Sequence, residues 1–270
     1  MRHHLLCLLT RLLAACAFFV SLPVHALERV DLYRVSVPVA DTTPEAAAAA
    51  AQAGLAEVLL RLTGEAAAPG DTLAARLGGQ IDTLVLERGY VNLPGRINPQ
   101  GELEPARTAL QLRFDPEALR AALESAGRAV WSPIRPVTLV ALGIGQGGSF
   151  EWVTEEDAAG FADGLRAAAT RRALPLRLPL VALDTALITA GDDLLAPQLD
   201  ALAAERSAEV VLVGVVEQGA DGSAAVGWRL RTPDAITRWT ASGATIDTAI
   251  ESGLDRLTQA LRELAPTPAV

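Results

Sequence analysis

The hydrophobic period of the chain changes at one sharp point. Between about Val30 and Val39 apolar and polar residues alternate, and Val35, Val37 and Val39 share one face, as on a half-buried strand. At Thr43-Pro44 the period lengthens. Leu55, Val58, Leu59 and Leu62 recur at i, i+3, i+4 and i+7, which predicts a helix with one buried stripe. Thr43 suits the N-cap, Pro44 the first helical position and Gly64 the stop. Ala46 to Ala51 are small enough for close packing on a sheet.

The same reading predicts a second helix from Asp71 to about Leu86, weakened at Gly78-Gly79. A short strand at Gly89–Leu93 and a turn-rich loop at Ile97–Pro105 follow. Thr108–Phe114 alternates again, with Leu110, Leu112 and Phe114 inward. Asp115-Pro116 opens a helix that runs through Ser125 and stops at Gly127. Two prolines in Gly127–Pro136 discourage regular structure and mark a boundary. Val137–Leu142 is apolar throughout, as in a strand covered on both faces. A helix is then expected behind Thr154 as N-cap, with Asp157 near the capping-box position. Leu176–Leu183 reads as a strand that Pro179 confines to a sheet edge. The last elements are a helix over Asp192–Glu205 kinked near Pro197, a buried strand over Glu209–Val216, an antiparallel hairpin turning near Pro233-Asp234, and a helix from Thr245 to Leu264. That helix should bury Ile250, Leu254, Leu257, Leu261 and Leu264.

The order of elements predicts an α/β (α+β) chain of two small domains, each a sheet covered by helices, the second with parallel strands followed by an antiparallel hairpin. The expected limits are an N-terminal α+β domain at 27–128, a linker at 129–136, a C-terminal α/β domain at 137–265 and a flexible tail at 266–270.

Composition adds a compartment. Arg2, His3, His4 and Arg11 precede an apolar run, Leu12–Leu22, and small residues Val24 and Ala26 stand at the positions a signal peptidase reads. The run is shorter than the ~20 apolar residues a membrane span needs, and no later segment is apolar for long enough. Residues 1–26 therefore read as an export signal cleaved after Ala26, leaving a soluble periplasmic chain. Lipidation at Cys16, within Leu-Ala-Ala-Cys, is the minor alternative; Arg11 inside the apolar run speaks against it.

All 3 histidines and both cysteines lie inside that signal, and all 23 basic residues are arginine. The mature chain thus has no His, Cys or Lys. That excludes Ser-His-Asp and Cys-His catalysis, histidine or thiolate zinc sites, Schiff-base lysines and P-loops. It also leaves no disulfide despite the oxidising compartment. Carboxylate chemistry survives. The mature charge is −11, from 32 acidic residues against 21 arginines, which disfavours nucleic acid as a partner. No cofactor or metal is expected.

Gly143–Gly148, Gly-Ile-Gly-Gln-Gly-Gly, matches a dinucleotide fingerprint, but the helix it should open is expected only at Thr154, so it reads as a flexible loop. Glu155–Asp157 and Asp192-Asp193 read as acids at helix starts. Trp228 and Trp239 should pack across neighbouring strands, and Trp131 should wedge the two domains together. Arg135 is placed to meet an acid across that interface or an anionic partner. Arg61, Trp131 and Arg135 are the candidate partner or interdomain contacts.

Val37-Pro38-Val39, Arg61–Gly64 as R-x-T-G, Phe114-Asp115 and Trp131–Pro136 as W-x-x-x-R-P occur in this order. Together they resemble the exported proteobacterial domain of unknown function 2066 family over nearly the whole mature chain. That resemblance implies compartment and fold and transfers no catalytic residue. The functional expectation is a non-enzymatic cell-envelope interaction or accessory protein, with an envelope protein as partner. The alternatives are a carboxylate-dependent hydrolase of envelope glycans and a small-ligand module in the interdomain cleft.

Overall fold

A computed structural model describes residues 27–68, 70–97, 102–146, 149–156, 160–184 and 192–264. The expected signal (1–26), Cys16, the tail (266–270), Gly147-Gly148 and Asp157 lie outside them.

Among the described residues the chain is α+β, with two sheets that carry helices. Of the opening strand expected over about Val30–Val39 only Arg34–Pro38 is strand, and a short strand precedes it. β1 (Leu27–Arg29) and β2 (Arg34–Pro38) are separated because the Asp31 carboxylate accepts the Tyr33 and Arg34 amides at 2.9 and 3.2 Å and turns the backbone. Helix α1 (Pro44–Thr63) keeps its predicted limits. The Thr43 hydroxyl accepts the Ala46 amide at 3.3 Å, and Gly64 closes the helix at φ 72°. Helices α2 (Thr72–Gly78) and α3 (Ile81–Leu84) replace the single helix expected over 71–86, broken at Gly79-Gln80. Asp71 caps α2 through the Leu73 and Ala74 amides.

β3 (Val85–Leu93) starts earlier than the strand expected at Gly89 and carries a bulge between Val85 and Glu87. The expected loop contains a short hairpin, β4 (Arg96–Ile97) with β5 (Leu103–Glu104). β6 (Arg107–Phe114) is central in the antiparallel sheet β2-β6-β3, and Leu110, Leu112 and Phe114 are buried against α1 and α4 (Pro116–Ser125), as predicted.

The linker is not irregular. Ile134–Pro136 forms β7, which pairs antiparallel with β1, because Pro136 and the flanking chain leave an extended backbone free to accept a partner. β8 (Thr138–Gln146) then runs down the middle of the larger sheet. β9 (Ser149–Trp152) folds back on β8, so Gly143–Gln146 are paired strand rather than loop. Helix α5 (Phe161–Arg171) starts behind Gly160, at φ 78°, and not behind Thr154. Glu155 bonds Arg166 and Arg206 instead of serving a helix start.

β10 (Leu176–Arg177) is far shorter than the expected strand over 176–183, and Leu180 and Val181 are exposed beyond it. It does lie at a sheet edge. Helix α6 (Asp192–Glu205) contains Pro197, and β11 (Val210–Gln218), β12 (Ala224–Arg231), β13 (Ile236–Gly243) and α7 (Ile246–Leu264) complete the fold. The strand order is β10-β8-β11-β12-β13, parallel across β10, β8 and β11 and antiparallel after that.

Two cores sit on the two faces of this sheet. Val140, Leu142, Leu212, Val226 and Trp228 face α5 and α7, while Leu139, Ala141, Val211 and Val213 face Leu199 of α6. α7 buries Ile250, Leu254, Leu257 and Leu261, but Leu264, the last residue of the helix, is 52% exposed rather than buried.

Candidate functional site

The end of α1 is where the two sheets meet. An α-helix leaves its last four carbonyls without helical partners. Here each finds one. Leu60 O accepts the Gly64 amide at 2.7 Å, Leu62 O the Trp131 amide at 2.6 Å, and Thr63 O Nη1 of Arg262 at 2.9 Å. Arg61 O accepts Nη2 of Arg135.

Arg135 is fully buried, on β7. Its Nη1 donates to Arg172 O at 2.6 Å and Ala173 O at 2.8 Å, just past the end of α5, and its Nε to Ser132 O at 3.2 Å. Its guanidinium carbon lies 3.7 Å from the centre of the Trp131 ring. One cation therefore joins the C-terminal ends of α1 and α5, where the helix dipoles concentrate negative charge, and stacks on an aromatic face. The expected acid across the interface is not its partner; main-chain carbonyls are. Burial and then Arg61 pull the Arg135 pKa down to about 9, so it stays cationic at neutral pH.

Arg61, 5% exposed, is the second tie. It donates to Asp31 O and Arg34 O at 3.3 and 2.7 Å, to Glu57 Oε1 at 2.5 Å, and across the junction to Thr170 O at 2.9 Å. Burial outweighs the pairing on both sides: it raises the Glu57 pKa against the pull of Arg61, and lowers that of Arg61 against the pull of Glu57. Arg172, which sequence reasoning passed over, is 5% exposed and joins α5 to α7 through Asp255 at 2.8 Å and Glu251 at 2.5 Å. Its only sequence signal is its place one residue past a helix end.

Beside this cluster lies a cleft of about 420 Å³, lined among others by Glu28, Arg29, Asp31, Arg61, Thr170 and Arg177. Glu28 and Arg177 bridge it at 2.7 Å. Its acids are engaged, Glu28 with Arg177 and Asp31 with the amides of its own turn. Among the described residues no three His, Cys, Asp or Glu side chains cluster as metal ligands. The arrangement fixes the relation of α1, α5 and β7, and the cleft beside it carries the guanidinium groups of Arg29, Arg166 and Arg177.

The tryptophans divide. Trp228 is buried and directly opposite half-buried Trp239 in the β12–β13 register, as read from the sequence. Trp131 and Trp152 are buried. Asp192 opens α6, but its side chain and that of Asp193 lie outside the described residues.

A second feature carried no motif. On the sheet face opposite Trp228, Arg229 and Arg238 stand directly across from each other on β12 and β13. With Val213, Val215, Gly227 and Thr240 they line an open cavity of about 480 Å³. Burial, then Arg238, lowers the Arg229 pKa. β13 is the last strand of the sheet among the described residues.

Comparison with known proteins corrects the family. Residues 26–132 match the model of a different domain of unknown function, DUF8605, and not the 2066 family. The residues behind the earlier resemblance explain the error: Arg61–Gly64 ends a helix, Phe114-Asp115 passes from a strand to an N-cap, and Trp131 and Arg135 close a junction. Such features recur wherever a strand–helix unit needs a stop and a cap. No curated protein matches the chain. Among solved structures, the LpoB C-terminal domain from Salmonella enterica is similar at 17% identity, covering 40% of this chain and 80% of its own, with a TM-score of 0.23.

Proposed function

We propose that the chain is exported to the periplasm and acts there as a non-enzymatic interaction protein of the cell envelope, using the β13 side of its larger sheet as contact surface. The observation that carries this reading is the sheet edge that β13 forms among the described residues. β13 is an eight-residue strand with Thr237, Arg238, Thr240 and Ser242 exposed, and an exposed edge is a ready template for pairing with another chain. The basic start and apolar run before Ala26 support export, and the absence of His, Cys and Lys after Ala26 supports a role without catalysis. Among the described residues no helix is long and apolar enough to cross a membrane.

The test is site-specific photo-cross-linking in cells, with the probe at Thr240 on β13 and at Glu124 on α4 as comparison. The reading expects one identified envelope protein, captured reproducibly from Thr240. Recovery of the chain alone from both positions sinks it.

The cleft supports a second reading, a small anionic ligand held near Arg29 and Arg177. A saturable rise in melting temperature with a small dicarboxylate, absent in Arg29→Glu, would favour that reading over the first.

A further inference from the structure

The first strand of the fold is also the first segment after the expected cleavage at Ala26. β1 begins at Leu27 and reaches across to β7. Leu27, Glu28 and Arg29 lie opposite Pro136, Arg135 and Ile134, partners far along the chain. The far end of this segment is fixed. Asp31 turns the backbone there, Arg61 donates to Asp31 O and Arg34 O at 3.3 and 2.7 Å, and Val30 packs on the core of the smaller sheet. The near end is lightly held. Val30 N donates to Pro133 O at 2.9 Å, and Glu28 meets Arg177 at 2.7 Å with their side chains 43% and 39% exposed. An ion pair this exposed adds little, and a short two-stranded ribbon is marginal by itself.

Two features depend on β1 being docked. Glu28 lies opposite buried Arg135, whose guanidinium holds the ends of α1 and α5. Residues 28–31 also make one wall of the cleft of about 420 Å³, and Ala169–Arg177 contribute the other.

We propose that residues 27–30 form a strap that docks on β7 only once the signal has been removed, and that its docking locks the two sheets together and completes the cleft. The inference rests on the export and cleavage in the reading above. A peptidase takes its substrate as an accessible, unpaired segment, so the residues beside the Ala26–Leu27 bond cannot be paired with β7 while that bond is cut. An uncut signal also keeps its apolar run, Leu12–Leu22, at the membrane. The chain from Leu22 to Leu27 spans at most about 18 Å. Docking of an uncut β1 would press the junction against the bilayer surface, where anionic headgroups repel an acidic chain. The relation of the two sheets is therefore set after export, and a ligand of the cleft meets a finished site only in the periplasm.

Disulfide trapping in cells tests this. Arg29 and Ile134 are exposed and directly opposite. The next pair along, Val30 and Pro133, is bonded through the Val30 amide, so 29–134 is the close, non-hydrogen-bonded kind of pair. Its Cα spacing of ~4.5 Å suits a disulfide. Cys7 and Cys16 are replaced by Ser, and Arg29→Cys with Ile134→Cys then supply the only thiols. Ala225→Cys with Ser242→Cys, opposite each other on β12 and β13, is the comparison pair. Each pair is expressed with the native Ala26 and with Ala26→Phe, which puts a large side chain where the peptidase reads a small one. Thiols are capped in intact cells and the disulfides read by mass spectrometry. The 29–134 disulfide is expected in the processed chain and lost from the uncut one, whereas the 225–242 disulfide forms in both.

Equal 29–134 linkage in the two chains overturns the timing. No linkage in the processed chain overturns the strap. Absence of both disulfides from the uncut chain overturns it too, since the larger sheet then waits for cleavage as well. The N-terminus of the wild-type chain separates these outcomes from failure of the export reading: a start other than Leu27 removes the cleavage and the inference with it. Deletion of Leu27–Arg29 behind an intact signal gives a second measurement. Amide exchange at Arg135 should rise about tenfold while β11 and β12 keep their protection. Unchanged exchange at Arg135 overturns the lock.

Discussion

Arg135 donates to the main-chain carbonyl of Arg61, so one buried arginine holds the backbone of another. The two side chains then point to different tasks. Arg61 ties α1 to the β1–β2 turn and to Thr170, and Arg135 ties α1 to the end of α5. Two cations can be buried this close because Arg135 takes carbonyls at helix ends, whose dipoles offset its charge, while Arg61 pairs with the Glu57 carboxylate and with main-chain carbonyls of Asp31, Arg34 and Thr170. The planar fork of arginine reaches several carbonyls at once, which the point charge of a lysine cannot do. β1–β7 pairing completes the junction by holding Glu28 opposite Arg135 in register.

Arg135→Ala should be among the most damaging single changes in the chain. It strands the carbonyls of Arg61, Arg172 and Ala173 and removes the cation beneath Trp131. Unsatisfied buried groups cost about 1–3 kcal/mol each, so a loss on the order of 4 kcal/mol is expected. The urea midpoint reads it. Arg135→Lys should recover only a minor part, and Arg135→Met should stay close to Ala, because the missing quantity is hydrogen bonding rather than volume. Full recovery by Met would show that packing against Trp131 is what matters.

Two glycines give a graded pair. Trp228 lies in a slot between Gly214 of β11 and Gly253 of α7. A Cβ at Gly253 would come 2.1 Å from Nε1 of Trp228, and one at Gly214 2.5 Å from its Cζ3. Neither the ring, 2% exposed, nor α7 has room to shift. Gly253→Ala should therefore cost about 3 kcal/mol, the upper range of overpacking. A Cβ at Gly64 would press only mildly, on Arg262 Cδ at 3.2 Å, with Thr258 and Trp131 at ordinary contact distances of 3.5 and 3.6 Å, so the cost of Gly64→Ala is mainly the left-handed backbone, about 1–2 kcal/mol. Thermal melts of the two variants should rank them in that order.

How far the sequence reaches is clear from particular residues. α1 was legible to the residue, because Thr43, Pro44 and Gly64 act within one turn of themselves. β11 and the Trp228↔Trp239 pairing were legible from period and turn chemistry. Sequence reasoning failed where distant groups decide. Glu155 looks like a helix-start acid, yet Arg206, 51 residues away, and Arg166 claim it. β7 looks like a proline-bound linker until β1 arrives to pair with it. Arg61, Trp131 and Arg135 could be singled out as contact residues, but not their partners, since main-chain carbonyls leave no mark in a sequence. The Arg229–Arg238 face was missed altogether. Each residue is ordinary alone, and only the β12–β13 register sets them opposite.

Acid titration should separate two carboxylates whose pKa values move in opposite directions. The Ala74 amide, followed after a burial penalty by Arg128 and the Leu73 amide, holds Asp71 below its usual 3.8. A folded pKa depressed in this way contributes stability above pH 3.8 that is lost as pH falls through the folded value. Burial instead raises Glu57 above its usual 4.5, although Arg61 sits against it. The native state then takes up that proton before the unfolded chain does. Its ionisation costs stability as pH rises through the folded value, and the cost is relieved once pH drops below 4.5. Asp71→Asn should thus flatten the acid limb of the urea-midpoint profile below pH 4. Glu57→Gln should steepen the loss of stability on acidification from pH 6 to pH 4, because it removes the one group here that gains there. If both variants shift the profile in the same direction, burial does not dominate at Glu57, and its ion pair with Arg61 stabilises the junction outright.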